Sequence, residues 1–235
     1  MAVILETVGL TRHFDHVVAA DDISVRIRAG EWVGIVGANG AGKTTFLNLV
    51  TGYVKPDRGQ IRYMGRDITG LAPRDVVRLG IARSFQIPQL YASMSVLENV
   101  MVALAARSGR GFDFWRPFRH REWLVEAQDI LDRFALRGYA AESVTALPEG
   151  GRKLLDVVLS FALQPRLLLM DEPTSGVGTE EKFAVMDTLA AALEPTDVTV
   201  IFVEHDMDVV RRYAQRVLVF NRGRVVADGN SGDVP

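Results

Sequence analysis

Eight consecutive residues, Gly37-Ala38-Asn39-Gly40-Ala41-Gly42-Lys43-Thr44, satisfy the spacing G-x-x-x-x-G-K-[ST] without a mismatch. The chemistry open to them is the cradling of a polyphosphate. A compact, highly charged ligand is wrapped by backbone N–H groups turned inward, and Gly37, Gly40 and Gly42 let the chain curve that far without a Cβ clash. Lys43 then reaches the β- and γ-phosphates and the Thr44 hydroxyl ligates Mg²⁺. A helix opening here and running on through Thr45 points its positive end at the anion. The alternative is a glycine-rich turn that binds nothing. The flanks count against it, because Trp32–Val36 reads as a short buried strand and Thr45–Val50 as a helix.

Two more stretches place acids and an imidazole where a buried strand runs out. Leu167-Leu168-Leu169-Met170 is fully apolar and is followed by Asp171-Glu172, the pattern of a parallel strand emerging at the sheet's carboxyl edge. At that edge Asp171 is placed to hold Mg²⁺ through water, and Glu172 to orient or deprotonate an attacking water. A simple acidic turn is the alternative. Val198–Val203 forms a second such strand and ends in Glu204-His205-Asp206. His205 there can donate a hydrogen bond to a γ-phosphate, or serve only as a loop residue. A third strand over Ile81–Phe85 ends at Gln86, whose neutral amide either touches Mg²⁺ or the water, or caps a loop.

The elements that must hold these residues can be read in outline. Residues 2 to 28 contain two alternating strands, around Val3-Ile4-Leu5 and over Ile23–Arg28, separated by a polar stretch from Thr11 to Asp22. With Gly59–Tyr63 they predict a small antiparallel sheet. Phe14, with Val18 beside it, is a candidate to stack on a nucleobase, or else a core aromatic. Pro73 opens a short helix to Leu79. From 87 to 164 helical periods replace strand patterns: a capping box at Ser95 and Glu98 starts a helix to about Ala106, and another spans Glu122 to Ala135. Between them Arg107–Arg121 interleaves Arg110, Arg116 and Arg119 with Phe112, Phe114, Trp115 and Phe118. That mixture suits lipid headgroups, a membrane-embedded partner or nucleic acid, or a surface excursion packed on neighbouring helices. A helix over Glu180–Leu193 and a hairpin from Arg216 to Ala227 complete the outline.

Composition narrows the function classes. The 235 residues are 48% hydrophobic, enough for one substantial core, and 27 Lys and Arg against 29 Asp and Glu give no basic excess that would suggest nucleic acid as the main partner. Cysteine is absent, which excludes disulfides, thiolate metal sites and cysteine nucleophiles. No apolar run approaches the ~20 residues that cross a bilayer, and no signal-peptide pattern is present at the N-terminus. Any membrane role is expected to come through a partner.

Taken together, Gly37–Thr44, Gln86, Leu147–Gly151, Asp171-Glu172 and His205, in this order and at these separations, resemble the ATPase subunit of ATP-binding cassette (ABC) transporters. Gly80–Gln86, Met94–Val100 and Val203–Met207 resemble in particular the branched-chain amino acid importer branch. The resemblance implies one α/β domain: a P-loop NTPase core with a mainly parallel sheet and an antiparallel β-subdomain (1–86 and 165–235), and a helical subdomain (87–164) that meets the membrane subunits. It implies ATP and Mg²⁺ as ligands, a head-to-tail pair of cassettes sandwiching two ATP molecules, two transmembrane permease subunits, indirectly a solute-binding protein, and a cytoplasmic place on the inner face of the membrane. The sequence departs from the family at three points. Leu147-Pro148-Glu149-Gly150-Gly151 stands where L-S-G-G-Q is usual, Gly178 replaces the usual Asp or Asn, and the chain stops soon after Gly229, where relatives commonly carry another helical tail. The first two fall on surfaces that serve the partner's nucleotide, which predicts an asymmetric heterodimer. An ATP-gated regulatory clamp with little hydrolysis is the second expectation.

Overall fold

The computed structural model describes residues 2–86, 89–108 and 121–232. Two sheets organise it. Strands β1 (Val3–Phe14), β2 (Val17–Arg28), β4 (Arg58–Tyr63) and β5 (Arg66–Asp67) form an antiparallel sheet in the order β2-β1-β4-β5. Strands β3 (Trp32–Val36), β6 (Ile81–Ser84), β7 (Leu167–Asp171), β8 (Thr199–Val203), β9 (Arg216–Asn221) and β10 (Arg224–Asn230) form the second, in the order β10-β9-β3-β8-β7-β6. Every neighbouring pair in it is parallel except β9 with β10.

The polar stretch from Thr11 to Asp22, expected to separate two short strands, is itself strand. Phe14 pairs with Val17, His13 with Val18 and Arg12 with Ala20 around a tight turn at Asp15-His16. Register shifts between Thr7 and Leu10, Leu10 and Arg12, and Arg12 and His13 break the period of two, so the apolar alternation that reveals a strand was lost. The closing hairpin follows its residues more directly. Arg222 and Gly223 both have φ near the left-handed region, 48° and 80°, as a two-residue turn between twisted strands requires.

Continuous apolar runs make β3, β7 and β8 buried on both faces. Val33, Ile35, Leu167, Leu169, Ile201 and Val203 face helix α1 (Lys43–Val50) and the antiparallel sheet. Trp32, Val36, Leu168, Met170, Val200 and Phe202 face the other helices. These are chiefly α3 (Val96–Arg107), α4 (Arg121–Arg133), α5 (Glu149–Ala162), α6 (Thr179–Leu193) and α7 (Met207–Tyr213), with the short α2 (Pro73–Arg78) on the opposite side. The expected capping box closes both ways, with Glu98 N donating to Ser95 Oγ at 3.2 Å and Ser95 N to Glu98 Oε2 at 2.7 Å. On α4, Ala127, Ile130 and Leu131 are buried as the helical period requires, with Trp123 packed partly against the same core. Helix α7 had no expectation in the sequence; Asp206 caps it, accepting from Asp208 N at 2.9 Å and Val209 N at 3.3 Å. Of the basic and aromatic segment, Arg110, Phe112, Phe114, Trp115, Arg116, Phe118 and Arg119 lie outside the described residues. Arg107 pairs with Glu126 at 2.7 Å and donates to Ala162 O at 3.0 Å, tying α3 to α4 and to the end of α5.

Among the described residues no helix is long and apolar enough to cross a membrane.

Candidate active site

Four adjacent parallel strands, β3, β8, β7 and β6, end on one edge of the large sheet, and each end carries residues singled out by type and spacing. The loop 37–42 follows β3, Glu204-His205 follows β8, Asp171-Glu172 closes β7 and Phe85-Gln86 follows β6. The registers Ile35 to Val203 and Asp171 to Val203 bring these ends level, and Glu172 N donates to Val203 O at 3.0 Å just past the last rungs.

The glycine loop is wedged between other chain segments as well as curved. Gly37 has φ 150° and Gly42 φ 102°; a Cβ on Gly37 would lie 2.3 Å from Phe220 O, and one on Gly42 2.4 Å from Ala19 O. Both positions therefore exclude a side chain by contact with backbone that cannot swing away. Ala38, Asn39 and Gly40 are exposed, Ala41 and Gly42 are buried, Thr44 is exposed at the first turn of α1 and Thr45 half-buried. Lys43, only 5% exposed, curls under the loop and donates to Gly37 O at 2.6 Å and Ala38 O at 3.1 Å. Burial lowers its pKa, and the charges of Glu172 and Asp171 partly offset that, which places the three groups in one electrostatic neighbourhood.

Gln86, Glu172 and His205 meet directly. Gln86 Nε2 donates to Glu172 Oε2 at 2.8 Å, and His205 Nε2 lies 2.9 Å from Glu172 Oε1. Glu172 achieves this from a left-handed backbone, φ 54°, which costs a side-chain-bearing residue roughly 1–2 kcal/mol and turns its carboxylate back over the sheet edge. The neighbouring Asp171 behaves differently. Its Oδ2 takes Arg83 at 2.6 Å in a buried ion pair, Arg83 also donates to Asn48 Oδ1 of α1 at 2.6 Å, and Asp171 Oδ1 is buried with no partner among the described residues.

Phe14 and Val18 are 41% and 40% exposed, so the core reading of Phe14 does not hold. They sit at the tip of the β1–β2 hairpin, whose Ala19 carbonyl packs on the loop at Gly42. The Arg12 guanidinium, fixed by Asp57 at 2.7 Å, lies 4.8 Å from the Phe14 ring centre.

Several supporting residues had no place in the sequence reading. Glu204, buried, accepts from Thr174 N at 3.0 Å and Thr174 Oγ1 at 2.7 Å, and it receives His205 N at 3.2 Å, so it ties the segment after Glu172 to the one bearing His205. Burial raises its pKa, the Thr174 and His205 hydrogen bonds oppose that, and the nearby Glu172 charge adds to it. On α5, Lys153 donates to Gln86 O at 2.6 Å, and Asp156 accepts from Phe85 N at 2.7 Å. A lysine and an aspartate three apart among Leu154, Leu155, Val157 and Val158 were the available signal, since charge on the buried face of a helix needs partners. At the start of α5 Pro148 occupies the cap, and Glu149 pairs with Arg152 at 2.5 Å.

Magnesium was expected at Thr44, Gln86 and Asp171, and the donor set suits it. Among the described residues no three His, Asp or Glu side chains gather as a metal cluster. By type, a hydroxyl, an amide oxygen and a carboxylate with one unpartnered oxygen are the oxygen donors that a small hard cation keeping waters and phosphate oxygens takes.

A family model described as ABC transporter matches residues 20–175. The chain is 33% identical over 238 residues to a probable branched-chain amino acid transport ATP-binding protein LivG of Archaeoglobus fulgidus, covering 98% of this chain and 91% of that one. It is 33% identical over 232 residues to the high-affinity branched-chain amino acid transport ATP-binding protein BraF of Pseudomonas aeruginosa, covering 96% and 91%. Among solved structures it resembles the ADP conformation of MJ1267, an ATP-binding cassette of an ABC transporter, with TM-score 0.87 and 27% identity over 98% of this chain and 92% of that one.

Proposed function

The chain belongs to the ABC transporter family and is an ATPase of that family, and from this premise we propose that it hydrolyses ATP to drive uptake of branched-chain amino acids, or a related small polar or organic-acid solute, through separate membrane subunits. The observation that carries the reading is the carboxylate of Glu172, held between Gln86 and His205 at the edge where the phosphate loop also opens. The solute class rests on the relatives, LivG and BraF, which are named as branched-chain amino acid transport ATP-binding proteins.

The roles follow from position. Phe14 and Val18 offer the base an apolar surface beside the loop, Gly37 to Gly42 present backbone N–H groups to the phosphates, and Lys43 exchanges the loop carbonyls for β- and γ-phosphate oxygens. Thr44, the Gln86 amide oxygen and Asp171 would hold Mg²⁺, which supplies charge neutralisation for the β- and γ-oxygens when bound with the nucleotide. Glu172 accepts the proton of the attacking water, with its orientation fixed from both sides; His205 donates to the γ-phosphate and senses its loss. Replacing Glu172 with Gln keeps the hydrogen bond to Gln86 but removes the base, so turnover in the assembled transporter is expected to fall at least about 100-fold while Mg-ATP binding measured by calorimetry persists. Wild-type turnover in that variant overturns the reading.

Partnership is expected to be asymmetric. Pro148 brings neither hydroxyl nor N–H to the start of α5, and Glu149 adds a carboxylate there, so the γ-phosphate of a facing nucleotide loses two charge-assisted hydrogen bonds of about 1.5–3 kcal/mol each. The residues serving this chain's own nucleotide are intact. A different cassette with a complete signature would therefore face it, with two permease subunits, a solute-binding protein upstream, and the whole seated on the cytoplasmic face of the membrane. Strong ATP turnover by the purified chain alone sinks the asymmetry.

A further inference from the structure

We propose that Lys153 is a positioning residue for hydrolysis: from α5 it holds the Gln86 main chain and the segment after Glu172 at the spacing that keeps the Gln86 amide on the Glu172 carboxylate. Lys153 is 5% exposed, and its ammonium donates to Gln86 O at 2.6 Å and to Ser175 Oγ at 2.8 Å. Gln86 and Ser175 stand on the two sides of the Gln86–Glu172 hydrogen bond, Gln86 as its donor residue and Ser175 three residues beyond the acceptor. One side chain thus bridges the two segments that carry the pair.

Asp156, one turn further along the same helix, completes the grip. It accepts from Phe85 N at 2.7 Å and Gln89 N at 3.3 Å, so the chain on both sides of Gln86 is tied to α5 through main-chain groups. Burying an ammonium is costly unless its protons find partners, and Lys153 is buried among Leu154, Leu155, Val157 and Val158. What the charge adds at this place is direction: a donor aimed at one carbonyl and one hydroxyl. The end of α5 that begins at Glu149 is the same signature-like end that would face a partner cassette, so a shift of α5 moves Lys153 and, with it, Gln86.

The assignment rests on Glu172 acting as the base. The test is the steady-state ATPase of the transporter assembled with its partner cassette and permease subunits, comparing wild type, Lys153→Met and Glu172→Gln. The Lys153→Met variant is expected to show kcat reduced at least tenfold with KM for ATP within twofold of wild type, and hydrogen exchange at the Phe85 and Gln89 amides faster than in wild type. Wild-type kcat in Lys153→Met overturns the assignment alone, as does a loss in which kcat, KM and melting temperature all worsen together. Wild-type turnover in Glu172→Gln overturns the base and the assignment with it. Should Lys153→Met fail to assemble, Ser175→Ala removes one acceptor without burying a change of charge. A fall in kcat of threefold or more at constant KM supports the assignment, and wild-type kcat there overturns it.

Discussion

Asp156 shows how a single buried carboxylate makes the site's scaffold sensitive to pH. Burial pushes its pKa up to about 6, against the pull of the Phe85 and Gln89 N–H groups and of Lys153. A carboxyl raised from about 3.8 binds more protons in the folded chain than in the unfolded one between those values, so its contribution to stability is full below about 3.8 and is lost as pH rises through about 6. Replacing it with Asn removes that slope. Denaturant unfolding at pH 4.5 and 7 is expected to show wild type losing roughly 2 kcal/mol more than Asp156→Asn across the interval, since pH 4.5 already lies above the unfolded value and only part of the shift is sampled. Equal losses in the two proteins contradict it. Residue types and spacing made Lys43 legible through the glycine-loop pattern, and Asp171, Glu172, Gln86 and His205 legible because each stands where a strand pattern runs out. For Arg83, Lys153, Asp156 and Glu204 the partners were not legible: charge among apolar neighbours on α5 signals that partners are needed, but these are main-chain groups or side chains from elements more than twenty residues away.

At the scale of elements, the loop after β3 owes its glycines to two different constraints. Gly40 has φ 77° with open space where a Cβ would stand, whereas Gly42 has φ 102° with Ala19 O at 2.4 Å from that position. Gly40→Ala should therefore cost the stability of the nucleotide-free chain only the backbone term, about 1–2 kcal/mol. Gly42→Ala must in addition displace the β1–β2 hairpin that carries Phe14 and Val18, so a larger loss of stability and at least tenfold weaker Mg-ATP binding are expected by thermal melting and calorimetry. Similar losses in the two variants contradict the packing account. The same hairpin illustrates where elements hid from the sequence. Its bulges shift the alternation, and its outer residues are wet on both faces, so the hydrophobic pattern gave no sign of strand between Thr11 and Asp22.

On the scale of the whole molecule, the two ends of this chain's chemistry are unequal: a complete phosphate loop, and a helix start at α5 that carries Pro148 and the Glu149–Arg152 pair. Restoring Ser and Gly by Pro148→Ser with Glu149→Gly gives a pair of identical chains two usable signatures. ATP turnover of the isolated protein is expected to rise at least tenfold in the double variant, with a cooperative dependence on protein concentration. No gain, despite intact folding, argues against the signature-like role of this helix start.

The strand order carries one more consequence. Strand β8 lies between β3 and β7, yet it begins at Thr199, some thirty residues after β7 has ended. During synthesis the two halves of the large sheet cannot be zipped together until the chain has emerged past Val203, since no earlier strand fills the gap. A chain short of that point lacks the strand that pairs with both β3, before the phosphate loop, and β7, which carries Asp171. Until β8 is made the facing edges of β3 and β7 have no strand between them, and such unpaired edges are where a chaperone would be needed.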